Sequence, residues 1–191
     1  MPLVFPNRVW SRAEVLSSPS PVPRAPGIYA WYFRNLPKLV PTDGCIRLGD
    51  LALLYIGIAP KAPPQNGRRP SSQKLWHRIR YHYRGNAEGS TLRLTLGCLL
   101  AKELGLELRR VGSGRRMTFG HGEARLSEWM SENAFVTWAE DTAPWITEAG
   151  AIADMPLPLN LDMNRLHPFH ATLTDVRRLA RERARSLPVL N

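Results

Sequence analysis

The chain has few cysteines, a shortage of acidic residues and no long apolar run. Its two cysteines, Cys45 and Cys98, exclude a disulfide framework and a four-cysteine zinc site. No stretch approaches the roughly 18 consecutive apolar residues of a membrane span. The first residues also lack the basic start and the apolar core of a secretory signal peptide. We therefore expect a cytoplasmic protein that does not enter a membrane.

The shortage of acidic residues leaves a strong positive charge. The 191 residues include 26 Lys and Arg against 16 Asp and Glu, which gives a formal net charge of +10. Such a balance favours an anionic partner, such as nucleic acid or a membrane surface. Most of the positive charge is arginine, whose planar group suits phosphate contacts. A genome rich in guanine and cytosine would also raise the arginine content, so the charge alone does not decide the partner.

The composition is that of a globular domain divided into short elements. Hydrophobic residues make up 43% of the chain, which excludes a disordered or fibrous protein. Runs of β-branched and aromatic residues predict strands over 27–33, 51–58 and 135–140. Helices are predicted over 72–84, 90–105, 122–133, 144–154 and 172–186, and a hairpin over 106–120. This order predicts an α/β (α+β) fold: a small central antiparallel sheet flanked by helices, with an extra β-hairpin and a C-terminal helix.

Proline and glycine positions indicate how the chain is organised. Residues 1–26, which end in a proline-rich run, are expected to form an N-terminal lead-in. The main domain is expected over 27–162, with insertions at about 34–50, 59–72 and 106–120. Residues 163–191 are expected to form a C-terminal helical extension packed on the same domain.

Two tripeptides in the predicted strands each contain a tyrosine. They are Gly27-Ile28-Tyr29 in the first strand and Tyr55-Ile56-Gly57 in the second. If these strands pair as antiparallel neighbours, Tyr29 and Tyr55 can lie close together on one face, because side chains alternate along a strand. Taken alone, two strand tyrosines are ordinary core residues.

Four further polar residues occupy positions that call for an explanation. Arg78 and His82 lie four residues apart in the helix over 72–84, at the border of its apolar stripe. Such a pair is more often structural when nothing accompanies it. Glu148 has apolar neighbours three and four residues away, so it needs a partner, for which a divalent cation and Arg78 are both candidates. Asn160 follows a turn stiffened by proline.

In this order, these residues resemble the motifs of the GIY-YIG nucleases. The resemblance runs from Gly27 to about Asn160 and closes on Pro156-Leu157-Pro158-Leu159-Asn160. Each motif is weak alone, but six in the family's order form a strong signal. The spacing of Arg78 and His82 and the later Glu and Asn are most similar to the restriction-endonuclease branch. The spacing between Tyr29 and Tyr55 exceeds the family's usual spacing, which an inserted loop at 34–50 can absorb.

The resemblance implies a metal-dependent endonuclease that hydrolyses DNA phosphodiester bonds. Arg78 would supply a fixed cation for the non-bridging phosphate oxygens. Glu148 would be the sole protein carboxylate on one Mg²⁺ (or Mn²⁺) ion per active site, because Mg²⁺ takes few carboxylates. The metal would stabilise the departing 3′ oxygen and leave a 5′-phosphate end.

The resemblance also assigns the proton transfers. Tyr29 is the expected general base, and because a free tyrosine has a pKa of about 10 it needs a proton acceptor, for which His82 is the candidate. Tyr55 would orient the attacking water or bind phosphate, and Asn160 completes the catalytic set. Which of Tyr29, Tyr55 or His82 is the general base stays open.

Double-stranded DNA is the expected partner. The candidate contacts are one glycine and eight basic residues: Gly57, Lys61, Arg68, Arg69, Lys74, Arg80, Arg84, Arg115 and Arg116. Solvation is the usual alternative explanation for such basic surfaces. A homodimer is one option, because one site cuts one strand. Two other functions stay open at this point: a catalytically silent nucleic-acid-binding module on the same scaffold, and an RNA-directed nuclease.

Overall fold

The computed structural model of the protein describes residues 3–190. Within that range the chain forms six strands and six helices. The strands are β1 (Gly27–Phe33), β2 (Arg47–Leu48), β3 (Leu51–Ala59), β4 (Arg109–Val111), β5 (Arg116–Thr118) and β6 (Ala134–Glu140). The helices are α1 (Arg12–Leu16), α2 (Leu75–Arg84), α3 (Thr91–Leu99), α4 (Gly122–Asn133), α5 (Pro144–Asp154) and α6 (His170–Ser186).

The central sheet is antiparallel, with the strand order β2-β3-β1-β6. β1 pairs with β3 on one side and with β6 on the other. Every residue of β1 and β3 is buried, because helices cover both faces of the sheet. The α2 residues Leu75 and Ile79 belong to the apolar cluster on one face, and the α5 residues Ala151 and Ile152 belong to the cluster on the other. The predicted fold class is therefore confirmed.

The antiparallel pairing sets the positions of the two motif tyrosines. Tyr29 lies opposite Gly57 on β3, and Trp31 lies opposite Tyr55. Tyr29 and Tyr55 are thus offset by two residue pairs and lie on the same face, as strand alternation requires. Both side chains are at least nine-tenths buried, with relative exposures of 1% and 8%.

Several helix and strand bounds differ from the sequence predictions. The helix expected from residue 72 begins at Leu75, and the one expected over 90–105 ends at Leu99. The chain turns beyond Leu99, and Gly105 adopts a left-handed φ of 58°, which a continuing helix does not allow. The helix expected from residue 172 begins earlier, at His170, and the short strand β2 lies inside the expected loop 34–50.

The N-terminal lead-in contains structure that the sequence analysis missed. Ser11 and Glu14 form a capping box, in which each side chain bonds the backbone N–H of the other, and this stabilises α1 despite its length of one turn. Trp10 forms a backbone bridge to Val136 of β6. The lead-in therefore packs against the edge of the main sheet.

The hairpin β4-β5 packs against the end of the chain. The side chain of Arg109 donates to the backbone oxygen of Pro188 at 3.0 Å, and that of Arg110 donates to Leu187 at 2.8 Å. The backbone N–H of Leu190 in turn donates to the oxygen of Arg110 at 2.8 Å. The segment after α6 is thereby held on the same unit as the hairpin.

A buried arginine joins three helices. Arg93 of α3 has no exposed surface, and its guanidinium contacts the carboxylate of Glu123 on α4 at 2.6 Å. It also donates to the backbone oxygen of His82, at the carboxyl end of α2, at 3.2 Å. A buried charge is tolerated only with such partners.

Glu123 extends this junction to two loops. Its second carboxylate oxygen accepts the backbone N–H of Ala87 at 2.8 Å and that of Phe119 at 3.1 Å. The Arg93–Glu123 ion pair therefore holds together the carboxyl end of α2, the amino ends of α3 and α4, and the end of the hairpin.

No helix within residues 3–190 combines the length and the apolar character that crossing a membrane requires.

Replacing Glu123 should destabilise the fold strongly. Glu123→Ala leaves the guanidinium of Arg93 buried without its counter-charge, so the free energy of unfolding should fall by about 3–5 kcal/mol. Urea denaturation measures this change. Glu128→Ala, at an exposed position of the same helix, is the matched control and should change the free energy by less than about 0.5 kcal/mol. Similar effects of the two substitutions would contradict the role assigned to the ion pair.

Candidate active site

Tyr29, His82 and Ser90 form a buried hydrogen-bonded chain. The hydroxyl of Tyr29 lies 2.8 Å from Nε2 of His82. Nδ1 of the same imidazole lies 2.7 Å from Oγ of Ser90, which precedes α3 and also accepts the backbone N–H of Arg93. Both imidazole nitrogens are therefore occupied, and the ring orientation of His82 is fixed.

His82 acts behind Tyr29 and has no surface of its own in contact with solvent. Its relative exposure is 0%, and burial together with the charges of Arg78 and Arg93 holds its pKa well below the ordinary value of 6.5. The imidazole is consequently neutral, and one of its two neutral tautomers can accept the Tyr29 proton at Nε2. Any contribution of His82 to chemistry must pass through Tyr29.

Arg78 lies on the other side of the Tyr29 hydroxyl. Its Nη1 donates to the backbone oxygen of Gly89 at 2.8 Å, which fixes the guanidinium, and its Nε donates to the Tyr29 oxygen at 3.4 Å. Burial raises the pKa of Tyr29, and the positive charge of Arg78 works against that increase. The phenol is therefore protonated at rest, next to the cation that best stabilises its deprotonated form.

Gly57 provides the space that Tyr29 occupies. A Cβ on residue 57 would lie 2.5 Å from the Tyr29 hydroxyl oxygen and 2.7 Å from the ring carbon that carries it. Any side chain at this position would displace the tyrosine from His82 and Arg78. Gly57, the last residue of the second tripeptide, is thus a glycine because Tyr29, the last residue of the first tripeptide, occupies the space beside it.

Asn160 clamps the strand that carries Tyr55 and Gly57. Its Oδ1 accepts the backbone N–H of Ile56 at 2.9 Å, and its Nδ2 donates to the backbone oxygen of Ile56 at 2.8 Å. The side chain is buried, and both polar ends of its amide are occupied by β3. The geometry makes Asn160 a positioning residue for its two neighbours on the strand.

These groups surround a cavity of about 520 Å³. Its lining includes most of the expected catalytic set, together with Gly57, one further basic residue and one further acidic residue: Tyr29, Tyr55, Arg78, Glu148, Asn160, Gly57, Lys61 and Asp162. Tyr29 and Tyr55 come from the sheet, Arg78 from α2 and Glu148 from α5. Four separate segments thus converge, as an active site requires.

Among the acidic residues of this set, Glu148 has the most strongly shifted pKa. It is half-buried, and its carboxylate forms no hydrogen bond or ion pair with any residue in the range 3–190. Burial, followed by the negative charge of Asp162, raises the pKa of Glu148 to about 7, and Lys61 partly opposes this. An additional positive charge at this position would restore the ionised form.

The cavity fits a hard divalent cation with an incomplete protein shell. No cluster of three or more His, Cys, Asp or Glu suited to a metal exists within residues 3–190. Glu148 and Asp162 supply carboxylate oxygens on one cavity, and Mg²⁺ commonly takes one or two carboxylates with water and phosphate as its other ligands. The chemistry of the available donors therefore suits Mg²⁺ or Mn²⁺.

The basic residues that are candidate nucleic-acid contacts have three kinds of surroundings: the cavity, the lead-in and the remaining surface. Lys61 is exposed and lines the cavity. Arg80 faces the lead-in, where it donates to the backbone oxygen of Val15 at 2.8 Å and stacks over the ring of Trp76 at 4.7 Å. The other basic candidates are exposed and lie outside the cavity lining: Arg68, Arg69, Lys74, Arg84, Arg115 and Arg116.

Sequence reasoning overlooked Ser90 and Asp162 as members of the site. Ser90 begins α3 as its capping residue, and this local pattern is visible in the sequence, but its contact with His82 is not. Asp162 follows Asn160 by two residues, so the placement of Asn160 beside β3 carries Asp162 to the cavity. The position of Asp162 two residues after Asn160 was the feature of the sequence that could have identified it as part of the site.

Comparison with known protein families agrees with this geometry. The GIY-YIG catalytic domain matches residues 27–179, which span the whole central sheet and reach into α6. The chain therefore belongs to the GIY-YIG catalytic domain family, and its function is of the nuclease type. No curated protein and no solved structure matches the chain significantly.

The close approach of Gly57 to Tyr29 predicts a stability effect. Gly57→Ala should lower the free energy of unfolding by about 1–3 kcal/mol, because a methyl group is forced against a buried ring. Gly150→Ala is the control: nothing lies within 4 Å of its added Cβ, and it lies inside α5. That variant should be stabilised by about 0.5–1 kcal/mol. Effects of the same sign in urea denaturation would contradict the assigned packing.

The raised pKa of Glu148 predicts how stability depends on pH. Between its ordinary value of 4.5 and about 7, the folded chain binds more protons at this carboxyl than the unfolded chain does, so stability decreases as pH rises through that window. Glu148→Gln cannot ionise. With screening at this half-buried site taken into account, it should be more stable than wild type by about 1–2 kcal/mol at pH 8.

Urea denaturation in EDTA at pH 4 and pH 8 measures this difference. The two proteins should have nearly equal stability at pH 4, where the carboxyl is protonated in both states. If wild type and Glu148→Gln differed in stability by the same amount at both pH values, ionisation of Glu148 would not be what destabilises the folded chain.

Proposed function

We propose that the protein is a metal-dependent endonuclease that hydrolyses phosphodiester bonds of double-stranded DNA. The observation that carries the proposal is the convergence of Tyr29, Arg78 and Glu148 on one cavity, with His82 bonded directly behind Tyr29. A binding module needs a basic surface, but it has no need of a buried tyrosine–histidine pair or a destabilised carboxylate.

Arg78 binds and polarises the scissile phosphate. Its guanidinium is anchored to Gly89 by one nitrogen, which leaves its remaining donors beside the cavity. A cation fixed in this way stabilises the charge that develops on the non-bridging oxygens without having to reorganise.

Tyr29 receives the proton of the attacking water, and His82 takes the phenol proton through the 2.8 Å hydrogen bond. Burial favours the neutral forms of both residues, so the transfer is unfavourable at rest. It proceeds as the water attacks, because the proton of the water replaces the phenol proton on Tyr29, and Arg78 stabilises any negative charge that develops on the phenol oxygen. Tyr55, whose hydroxyl reaches the same cavity, orients the water or the phosphate.

Glu148 would hold the divalent cation, Mg²⁺ or Mn²⁺, one per site. When bound, the cation supplies charge stabilisation for the departing 3′ oxygen. Asn160 supports the site from outside by holding β3 in place.

DNA is the substrate that the charge of the protein favours. The net charge of +10 attracts a polyanion, and Lys61 carries positive charge to the edge of the cavity. Arg68 and Arg69 on the same loop, and Arg115 and Arg116 at the hairpin, would contact neighbouring phosphates, which positions the duplex without reading its sequence. Each site cuts one strand, so a double-strand break takes a homodimer or two visits.

The test is cleavage of supercoiled plasmid by wild type, Glu148→Gln and Tyr29→Phe in Mg²⁺, Mn²⁺ or EDTA. Wild type should cleave in either metal and be inactive in EDTA. Tyr29→Phe should lower the rate by about 10²–10⁴-fold through loss of proton transfer, and Glu148→Gln should remove activity while salt-sensitive DNA binding is retained.

Two matched controls separate chemistry from folding. Tyr32→Phe removes a hydroxyl that donates to the backbone of Leu3, on the same strand as Tyr29. Asp154→Asn alters an exposed carboxylate at the end of the helix that carries Glu148. Both should cleave as wild type does. DNA binding without cleavage by wild type in either metal would favour the silent module, and cleavage of RNA alone would overturn DNA as the substrate.

A further inference from the structure

A second carboxylate faces the cavity that contains Glu148. Asp162 lies on the segment between Asn160 and the start of α6. It lines the same cavity as Glu148 and Tyr55. It belongs to no salt bridge and accepts no hydrogen bond in the described part of the chain. Its side chain is therefore free to bind a ligand in the cavity.

The backbone around Asp162 is fixed on both sides. Asn160 is tied to Ile56 through both ends of its amide. Asn164 is also buried, and its Nδ2 donates to the backbone oxygen of Leu157 at 2.8 Å and to that of Asn160 at 3.1 Å. Asp162 lies between these two asparagines, so an exposed carboxylate is presented from a rigid support, as a metal ligand requires.

The two carboxylates are held together in spite of their repulsion. Glu148 and Asp162 line the same cavity, and neither forms an ion pair with a residue in the range 3–190. Of the two basic residues in this lining, Arg78 is engaged by Gly89 and Tyr29, which leaves Lys61. Bringing like charges into one cavity costs free energy unless a cation joins them.

Tyr55 gives an independent indication that the cavity binds an oxygen-rich ligand. The side chain is nine-tenths buried and lines the cavity, yet its hydroxyl has no hydrogen-bond partner among residues 3–190. The hydroxyl itself is not enclosed by protein and opens to the cavity, so its hydrogen-bonding partner has to come from whatever occupies the cavity. Water bound to a cation, or a phosphate oxygen, would supply one.

We propose that Asp162 is a second carboxylate ligand, which holds the divalent cation together with Glu148. This inference rests on the proposed function, since it concerns the same site. Two carboxylates fall within the number that Mg²⁺ and Mn²⁺ commonly accept, and water and phosphate oxygens complete the shell.

The test is a titration of the metal-free protein with Mn²⁺ in the absence of nucleic acid, followed by the EPR signal of free Mn²⁺. Wild type should bind one Mn²⁺ per chain. Asp162→Asn should weaken the affinity at least about tenfold, and Glu148→Gln should weaken it by a similar or larger factor. Asp154→Asn, on the same helix as Glu148 but outside the cavity, should bind as wild type does.

A purely structural role for Asp162 would give a different pattern. Arg177 of α6 is half-buried, and burial lowers its pKa, which the negative charge of Asp162 partly opposes. The alternative is that Asp162 serves only as a counter-charge for Arg177. In that case Asp162→Asn would lower the urea midpoint and leave Mn²⁺ affinity unchanged. The proposal requires the reverse: weaker Mn²⁺ binding with an unchanged or higher midpoint.

The outcomes distinguish this inference from the proposed function. Loss of Mn²⁺ binding in Glu148→Gln, with unchanged affinity in Asp162→Asn, would overturn the role of Asp162 and leave the proposed function intact. Absence of saturable Mn²⁺ binding by wild type would overturn the carboxylate pair, and plasmid cleavage would then decide the proposed function separately.

Discussion

The buried ion pair between Arg93 and Glu123 is the interaction on which the rest of the site depends. It joins the carboxyl end of α2 to α3 and α4, and it includes the backbone oxygen of His82 itself. Because Arg93 has no exposed surface, its charge is satisfied only when these helices are in their native positions. The imidazole of His82 is therefore fixed from two directions: its ring by Tyr29 and Ser90, and its backbone by Arg93.

The site combines a rigid interior with an open, charged edge. Tyr29 and His82 lie in the core, where burial keeps them neutral, while Glu148 and Asp162 lie at the cavity, and no basic residue in the range 3–190 forms an ion pair with them. Arg78 lies between the two, anchored to Gly89 and in contact with the Tyr29 hydroxyl. In the proposed mechanism, this arrangement would separate proton transfer from metal binding, and the substrate phosphate would connect them.

The sequence predicted the order of the main elements, and most of the catalytic residues that it nominated line one cavity. Strand alternation placed Tyr29 and Tyr55 on one face, and helical spacing placed Arg78 beside His82. Both patterns are local, so both can be read without a structure. Local signals were less reliable at element ends: the helix expected over 90–105 ends at Leu99, where the chain turns towards Gly105. The one-turn helix α1 has a clear capping box, but it is too short for periodicity to reveal it.

The sequence by itself determined the family and the residues that carry its motifs, because their order and spacing are written along the chain. Only the tertiary structure decided what those residues contact. It assigned Gly57 to making room for Tyr29, Asn160 to holding β3 and Arg80 to packing against the lead-in. It also brought Asp162 to the cavity. Each of these contacts joins residues far apart in sequence, and their partners and burial depend on how the sheet and helices pack, which no local pattern records.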